Sequence, residues 1–196
     1  MKKKIVILGS TGSIGKTTIN LFKDNLKDYE IILLTTNKNI KELKKQVKIF
    51  KVKRVLITDY EKFLQFKKEY KNKKIKVYND LNLLKQILPK KVDYTMCSIS
   101  GIEGLKPTLD VISRSKKIAI ANKESIICGW NLIKKKLKFY KTEFVPVDSE
   151  HFSIWYALRD IKKELIEKIY LTASGGPFLD KPLHNLKKVN YKQAVK

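Results

Sequence analysis

The chain has 196 residues, 43% of them hydrophobic, and its 43 Lys and Arg against 19 Asp and Glu give a net charge of +24. Such a length can bury a sizeable core and suggests one domain and part of another, whereas no apolar run is long enough to span a bilayer, and the run after Lys4 is too short for a signal peptide. Two cysteines outside any CxxC context speak for a reducing compartment, and a charge excess that is nearly all Lys, with Arg only at Arg54, Arg114 and Arg159, reads as a solvated surface rather than a dedicated nucleic-acid reader.

In chain order, a strand is predicted over 4–8 and a helix over 14–23, then a strand over 30–35 and a helix over 40–50. A strand over 54–58, a helix over 60–70, a strand over 75–78 and a helical pattern over 82–88 follow. Next come strand 94–99, helix 104–115, strand 117–121, helix 124–138 and strand 143–147. Strand alternating with helix implies a mostly parallel, doubly wound α/β sheet of Rossmann-like type. Continuous apolar runs such as Ile5-Val6-Ile7-Leu8 suit strands buried on both faces. Near Val147 the rhythm changes, with a helix predicted over 149–158, a strand over 168–173, and a turn at Gly175-Gly176-Pro177. The expected domains are 1–147, nucleotide-binding, and 148–196, the beginning of an α+β catalytic domain.

The first βα turn, Gly9-Ser10-Thr11-Gly12-Ser13-Ile14-Gly15, spaces its glycines as G-x-x-G-x-x-G, a variant of the dinucleotide fingerprint and not a P-loop. Such glycines let the backbone turn, approach a pyrophosphate and pack the helix on the strand. The second strand ends in Thr35-Thr36-Asn37-Lys38-Asn39. An acid there would bind a ribose 2′-OH, whereas hydroxyl, amide and ammonium groups suit a 2′-phosphate, so NADP(H) is preferred to NAD(H). Asp148-Ser149-Glu150 follows an apolar run and offers the hard oxygen ligands that Mg²⁺ or Mn²⁺ take. The same triplet also reads as a helix N-cap.

Together with Ala121-Asn122-Lys123-Glu124-Ser125, Pro146-Val147-Asp148-Ser149-Glu150-His151 and Ser174-Gly175-Gly176-Pro177-Phe178, the glycine turn makes four motifs in order. On these residues the chain resembles the 1-deoxy-D-xylulose 5-phosphate reductoisomerases of the non-mevalonate isoprenoid pathway. The resemblance implies rearrangement of a phosphorylated ketose and its NADPH-dependent reduction to 2-C-methyl-D-erythritol 4-phosphate, supported by a divalent cation (Mg²⁺, Mn²⁺ or Co²⁺). It implies Asp148 and Glu150 as metal ligands, with Glu150 also near substrate. Ser149 and Lys123 would touch substrate in catalytic roles, and Ser174 would bind its phosphate. Thr11, Gly12, Ser13 and Ile14 would form the dinucleotide loop, Lys38 and Asn39 the adenosine-phosphate side, and Asn122 and Glu124 the nicotinamide side. A homodimer of the full-length protein is implied, in a bacterial cytoplasm or a plastid stroma, without a membrane or nucleic-acid partner.

The chain departs from the pattern in its extent. A closing loop with a His and a Trp, and an Asn-Lys-x-x-Glu segment with a third carboxylate ligand, are expected after Lys196. The chain is therefore expected to be a fragment with little activity by itself. His151 and His184 are not that loop histidine, and Trp130 and Trp155 read as packing residues. Asn37 stands where a small residue is common. Two alternatives are a truncated NADPH-binding domain without catalysis and a basic nucleic-acid-binding protein on a Rossmann-like fold. Tight oligonucleotide binding that falls steeply with salt would mark the latter.

Overall fold

A computed structural model describes residues 1–70, 74–170 and 176–194. The chain divides into two compact units, Met1–Trp155 and Tyr156–Lys196. In the first unit, β1 (Lys3–Leu8), α1 (Ser13–Lys23), β2 (Tyr29–Thr36), α2 (Ile40–Phe50), β3 (Arg54–Ile57), α3 (Tyr60–Glu69) and β4 (Lys76–Tyr78) follow one another. A 3₁₀ turn and a short α4 (Leu84–Ile87) lead to β5 (Val92–Cys97), α5 (Leu105–Ile112), β6 (Ser115–Ile120), α6 (Lys123–Tyr140) and β7 (Glu143–Pro146). α7 (Ser149–Leu158) begins directly after it.

The seven strands form one sheet in the order β4-β3-β2-β1-β5-β6-β7, and every pairing is parallel. Successive strands step outward from β1 in one direction, and β5 starts the other half, so the strand order reverses between β1 and β5. In open parallel sheets that reversal leaves a crevice at the carboxyl ends of the two strands.

The apolar run of β1 is explained by helices on both faces. Ile5 and Ile7 join a cluster with Ile19 of α1, Leu43 and Val47 of α2 and Phe66 of α3. Val6 and Leu8 point the other way, into a cluster with Leu84, Val111, Ile112 and Ile133. The alternation is interrupted once in β2, where the register with β1 shifts between Ile5 and Val6. Ile32 and Leu33 consequently pack into the same cluster, while Ile31 and Leu34 share the opposite one.

Helix starts follow capping chemistry. Asn39 accepts from the Glu42 N–H (3.1 Å), Asp59 from Lys62 (2.9 Å) and Asn122 from Ser125 (2.9 Å). Two helices end on left-handed lysines, Lys51 after α2 and Lys141 after α6, each with φ 51°. Cys97 is fully buried at the end of β5, and burial pushes its thiol up to about 12, so it packs as a small apolar group.

The second unit contains a 3₁₀ turn at Lys163–Leu165, another at Leu183–Lys188 and the short α8 (Tyr191–Ala194). The strand predicted over 168–173 is corrected for its described part: 168–170 has no regular structure, and Ile169 and Tyr170 are exposed. A strand needs a ladder partner, and the unit offers none among its described residues. Residues 171–173 of that prediction lie outside the described residues.

Candidate functional site

The glycine turn leaves β1 at the crevice and is tied to both neighbouring strands. Gly9 adopts φ +80°, open to glycine at little cost, and donates its N–H to Thr35 Oγ1 (2.8 Å). Ser10 donates to the Thr35 carbonyl (2.9 Å), and the Thr11 and Thr36 hydroxyls share a hydrogen bond of 2.6 Å. From β5, Ser98 Oγ donates to the Leu8 carbonyl (2.7 Å). Gln46 of α2, buried, donates Nε2 to the Ser10 carbonyl (2.9 Å).

Gly12 then caps α1 without a side-chain hydrogen bond, in contrast to the caps of α2, α3 and α6. The first N–H groups of α1 are thereby left to a ligand, and the helix dipole favours an anion there. A cavity of about 610 Å³ lies alongside, lined by Gly9, Thr11, Gly12, Thr36, Asn37 and Ser98 among others. Lys38 at its approach is exposed and lies 3.8 Å from the Asp59 carboxylate. Asn39 is occupied as the cap of α2.

A second cavity, of about 370 Å³, opens over the ends of β5, β6 and β7. Ile14, Asn122, Lys123, Glu124, Asp148, Ser149 and Glu150 line it. Ser98, Ile99 and Ser100 line both cavities, so one short loop forms a wall common to the two. Of the residues singled out in the sequence, Ser13, Lys38 and Asn39 line neither cavity, and Ser174 lies outside the described residues.

Asn122 is buried, and its side chain is fully engaged. Its Nδ2 donates to the carbonyls of Ile99 and Gly101 while Oδ1 caps α6. It thus fixes the loop after β5 against the start of α6. Lys123 is the first residue of α6, where a cation opposes the helix dipole. A lysine placed at that position is unfavourable for the helix.

Asp148 divides its two oxygens. Oδ1 accepts from the His151 N–H (2.9 Å), capping α7, and lies 2.6 Å from the imidazole Nδ1. Oδ2 is buried and has no hydrogen-bond partner. An ionised oxygen left bare in this way is the group a cation would satisfy. Burial pushes the Asp148 carboxyl up, but the hydrogen bonds from the His151 backbone and ring outweigh it and hold the carboxyl below the usual aspartate range. Glu150 is lowered first by its own backbone N–H and then by the Ser149 hydroxyl 2.9 Å away, with Lys123 adding to the effect and Asp148 opposing it. Both carboxylates are therefore ionised at neutral pH. Among the described residues no group of three or more His, Cys, Asp or Glu assembles that could hold a metal, so Asp148 and Glu150 stand as a pair.

Sequence reasoning missed Ser98, Ser100 and Gln46. The signal was present for the serines, in a Ser-Ile-Ser-Gly stretch where the strand predicted over 94–99 ends. A buried glutamine in an amphipathic helix carries no such signal.

Comparison with known proteins places these features. The family model "1-deoxy-D-xylulose 5-phosphate reductoisomerase" matches residues 5–129, and that of its C-terminal domain matches 144–196. A reductoisomerase from Pelagibacter ubique is 59% identical over 99% of this chain and 50% of its own length. One from Wolbachia pipientis is 39% identical over 98% of this chain and 49% of its own. The solved structure of the Zymomonas mobilis enzyme in complex with NADPH superimposes with a TM-score of 0.83 at 33% identity, covering 100% of this chain and 52% of that one. A reductoisomerase structure in complex with NADPH, fosmidomycin and magnesium gives a TM-score of 0.78 at 28% identity over 99% of this chain and 50% of that one. The chain thus spans about half the length of the curated relatives it matches. With both family models matched in order along it, the chain belongs to the 1-deoxy-D-xylulose 5-phosphate reductoisomerase family.

Proposed function

We propose that the chain carries the NADPH-binding and metal-binding part of an enzyme that isomerises and reduces 1-deoxy-D-xylulose 5-phosphate to 2-C-methyl-D-erythritol 4-phosphate. The observation that carries the reading is the convergence of Lys123, Asp148, Ser149 and Glu150 on one cavity that shares a wall with the glycine-turn cavity. The family relatives bound to NADPH and to magnesium support it.

When bound, NADPH supplies a hydride and a divalent cation supplies Lewis acidity to neighbouring substrate oxygens. The remaining roles belong to this chain. The start of α1, with Thr11, Gly12, Ser13 and Ile14, holds the pyrophosphate. Lys38, with Asn39 beside it, holds the adenosine phosphate, and Glu124 and Asn122 border the nicotinamide. Asp148 and Glu150 would hold the cation, with the Asp148 Oδ2, which has no hydrogen-bond partner, as a candidate ligand. Two carboxylates lower the cation's charge without filling its shell, which leaves positions for substrate. The Ser149 hydroxyl orients the substrate oxygens, the Lys123 ammonium stabilises the oxyanion that develops on the reacting ketose, and Ser174 takes the substrate phosphate. The two domains are taken as 1–147 and 148–196.

Binding titrations separate the parts. Lys38→Gln is expected to weaken NADPH about tenfold while leaving NADH unchanged, since only the former carries the 2′-phosphate. In the whole protein, Lys123→Gln is expected to lower kcat by about two orders of magnitude or more with its melting temperature unchanged or raised. Wild-type turnover in that variant would remove Lys123 from the mechanism, and equal losses for both cofactors would remove Lys38 from the phosphate site.

A further inference from the structure

The proposed chemistry sits at the carboxyl ends of the strands, and a second concavity opens at their amino ends. It is a cleft of about 330 Å³ beneath β1 to β4, lined by Lys4, Lys51, Lys53, Arg54, Lys74 and Lys76, with Glu30 as its single lining carboxylate. Three observations bear on what it could hold.

The first is register. Arg54 of β3 stands directly beside Lys76 of β4 in the parallel ladder, and the Lys76 N–H donates to the Lys53 carbonyl (2.9 Å). Like charges side by side in a sheet destabilise it, and among the described residues neither Arg54 nor Lys76 pairs with a carboxylate. The second is pairing. Some lysines of this unit meet carboxylates, among them Lys44 with Glu69, Lys106 with Asp110, Lys116 with Asp93 and Lys117 with Glu143. Among the described residues Lys4, Lys51, Lys53, Arg54 and Lys76 make no ion pair. The nearby Asp93 accepts the Lys4 backbone N–H, and its ammonium partner is Lys116. The third is residue choice. Arg54, half-buried, is one of three arginines in a chain that otherwise uses lysine, and arginine is the side chain that forks onto phosphate oxygens.

We propose that this cleft binds a small, multiply charged phosphate anion of the diphosphate class, at a site separate from the cofactor and substrate cavities. Several cations around a space of this size suit a compact ligand with three or four negative charges, whereas a nucleic-acid strand requires an extended track. The anion would supply the negative charge that Arg54 and Lys76 lack among the described residues.

The test is titration with inorganic pyrophosphate at constant ionic strength, with NADPH saturating so that its own phosphate sites are filled. One equivalent is expected to bind and to raise the melting temperature, with orthophosphate binding more weakly. Arg54→Gln combined with Lys76→Gln is expected to weaken pyrophosphate about tenfold or more, while the anion-free variant melts at or above wild type because the repulsion is gone. Lys51→Gln combined with Lys53→Gln removes charge without altering that pair, and is expected to lose affinity likewise. Unchanged binding in both variants, displacement by NADPH, or uptake of several equivalents would overturn the proposal. An oligonucleotide that binds more tightly than pyrophosphate and is lost in the same variants would overturn it in favour of nucleic acid.

Discussion

Gly12 and Gly15 stand three residues apart in one motif, yet a side chain would meet very different surroundings at each. A Cβ on Gly15 would fall 2.7 Å from the Ser10 Cα and press on the Gly9 carbonyl, backbone atoms that cannot move aside. On Gly12 it would reach only the Gly9 carbonyl oxygen, at an ordinary 3.5 Å. Gly15→Ala is therefore expected to cost about 2–3 kcal/mol of stability in denaturant unfolding. Gly12→Ala should keep wild-type stability and lose NADPH affinity about tenfold, because the added methyl fills space the pyrophosphate needs. Unaltered NADPH binding in Gly12→Ala would place the pyrophosphate elsewhere. Asp93 shows a different residue-scale effect. Hydrogen bonds from Lys116 and from the Lys4 backbone hold its carboxyl below the ordinary aspartate value of 3.8. A carboxyl lowered in the folded state adds stability above that value and loses it as pH falls through the folded one. The stability gap between wild type and Asp93→Asn is thus expected to be constant near neutrality and to close in acid; a gap that survives strong acid would show that the charge is not its source.

Elements were legible where period and length agreed. The helices at Ile40–Phe50 and Ser149–Leu158 fall on their predicted bounds, and each strand of the sheet lies within two residues of its predicted start and end. The bulge in β2 was not legible, because Ile31-Ile32-Leu33-Leu34 is apolar throughout and such a run does not say which residue changes face. The lone stretch near Ile169 had strand-like residues without a partner, and β propensity cannot supply a ladder. At the site, the sequence pointed to Lys123 and Asp148 by motif. It did not show that Asn122 gives its Nδ2 to the loop after β5 while its Oδ1 caps α6, the first of which depends on contacts distant in sequence. Helix ends hold one further element-scale consequence. Lys141 sits at φ 51° after α6, a conformation that costs a side-chain-bearing residue about 1 kcal/mol and glycine almost nothing. Lys141→Gly is expected to stabilise the fold by about 0.5–1 kcal/mol, read as a higher denaturant midpoint at unchanged slope. A lower midpoint would mean that the lysine side chain contributes packing that outweighs its strained backbone.

At the scale of the molecule, charge and chemistry are sorted to opposite ends of one sheet. Cations gather at the amino ends of the strands, and hydroxyls, open helix N–H groups and the Asp148 and Glu150 carboxylates gather at the carboxyl ends. No described helix is long and apolar enough to cross a membrane. The loop Ser98-Ile99-Ser100 belongs to both cavities at the carboxyl end and is pinned by Asn122 from one side and by the Leu8 carbonyl from the other. A wall held in common that adjusts to one occupant is set for the next, so the two cavities are expected to be thermodynamically linked. Whatever factor NADPH applies to the affinity for Mn²⁺, Mn²⁺ must apply to the affinity for NADPH. That factor is expected to exceed one and to fall toward one in Asn122→Ala, which frees the loop. A factor of one in the wild type would mean that the shared wall transmits nothing, and that the order in which the two ligands arrive is a matter of concentration alone.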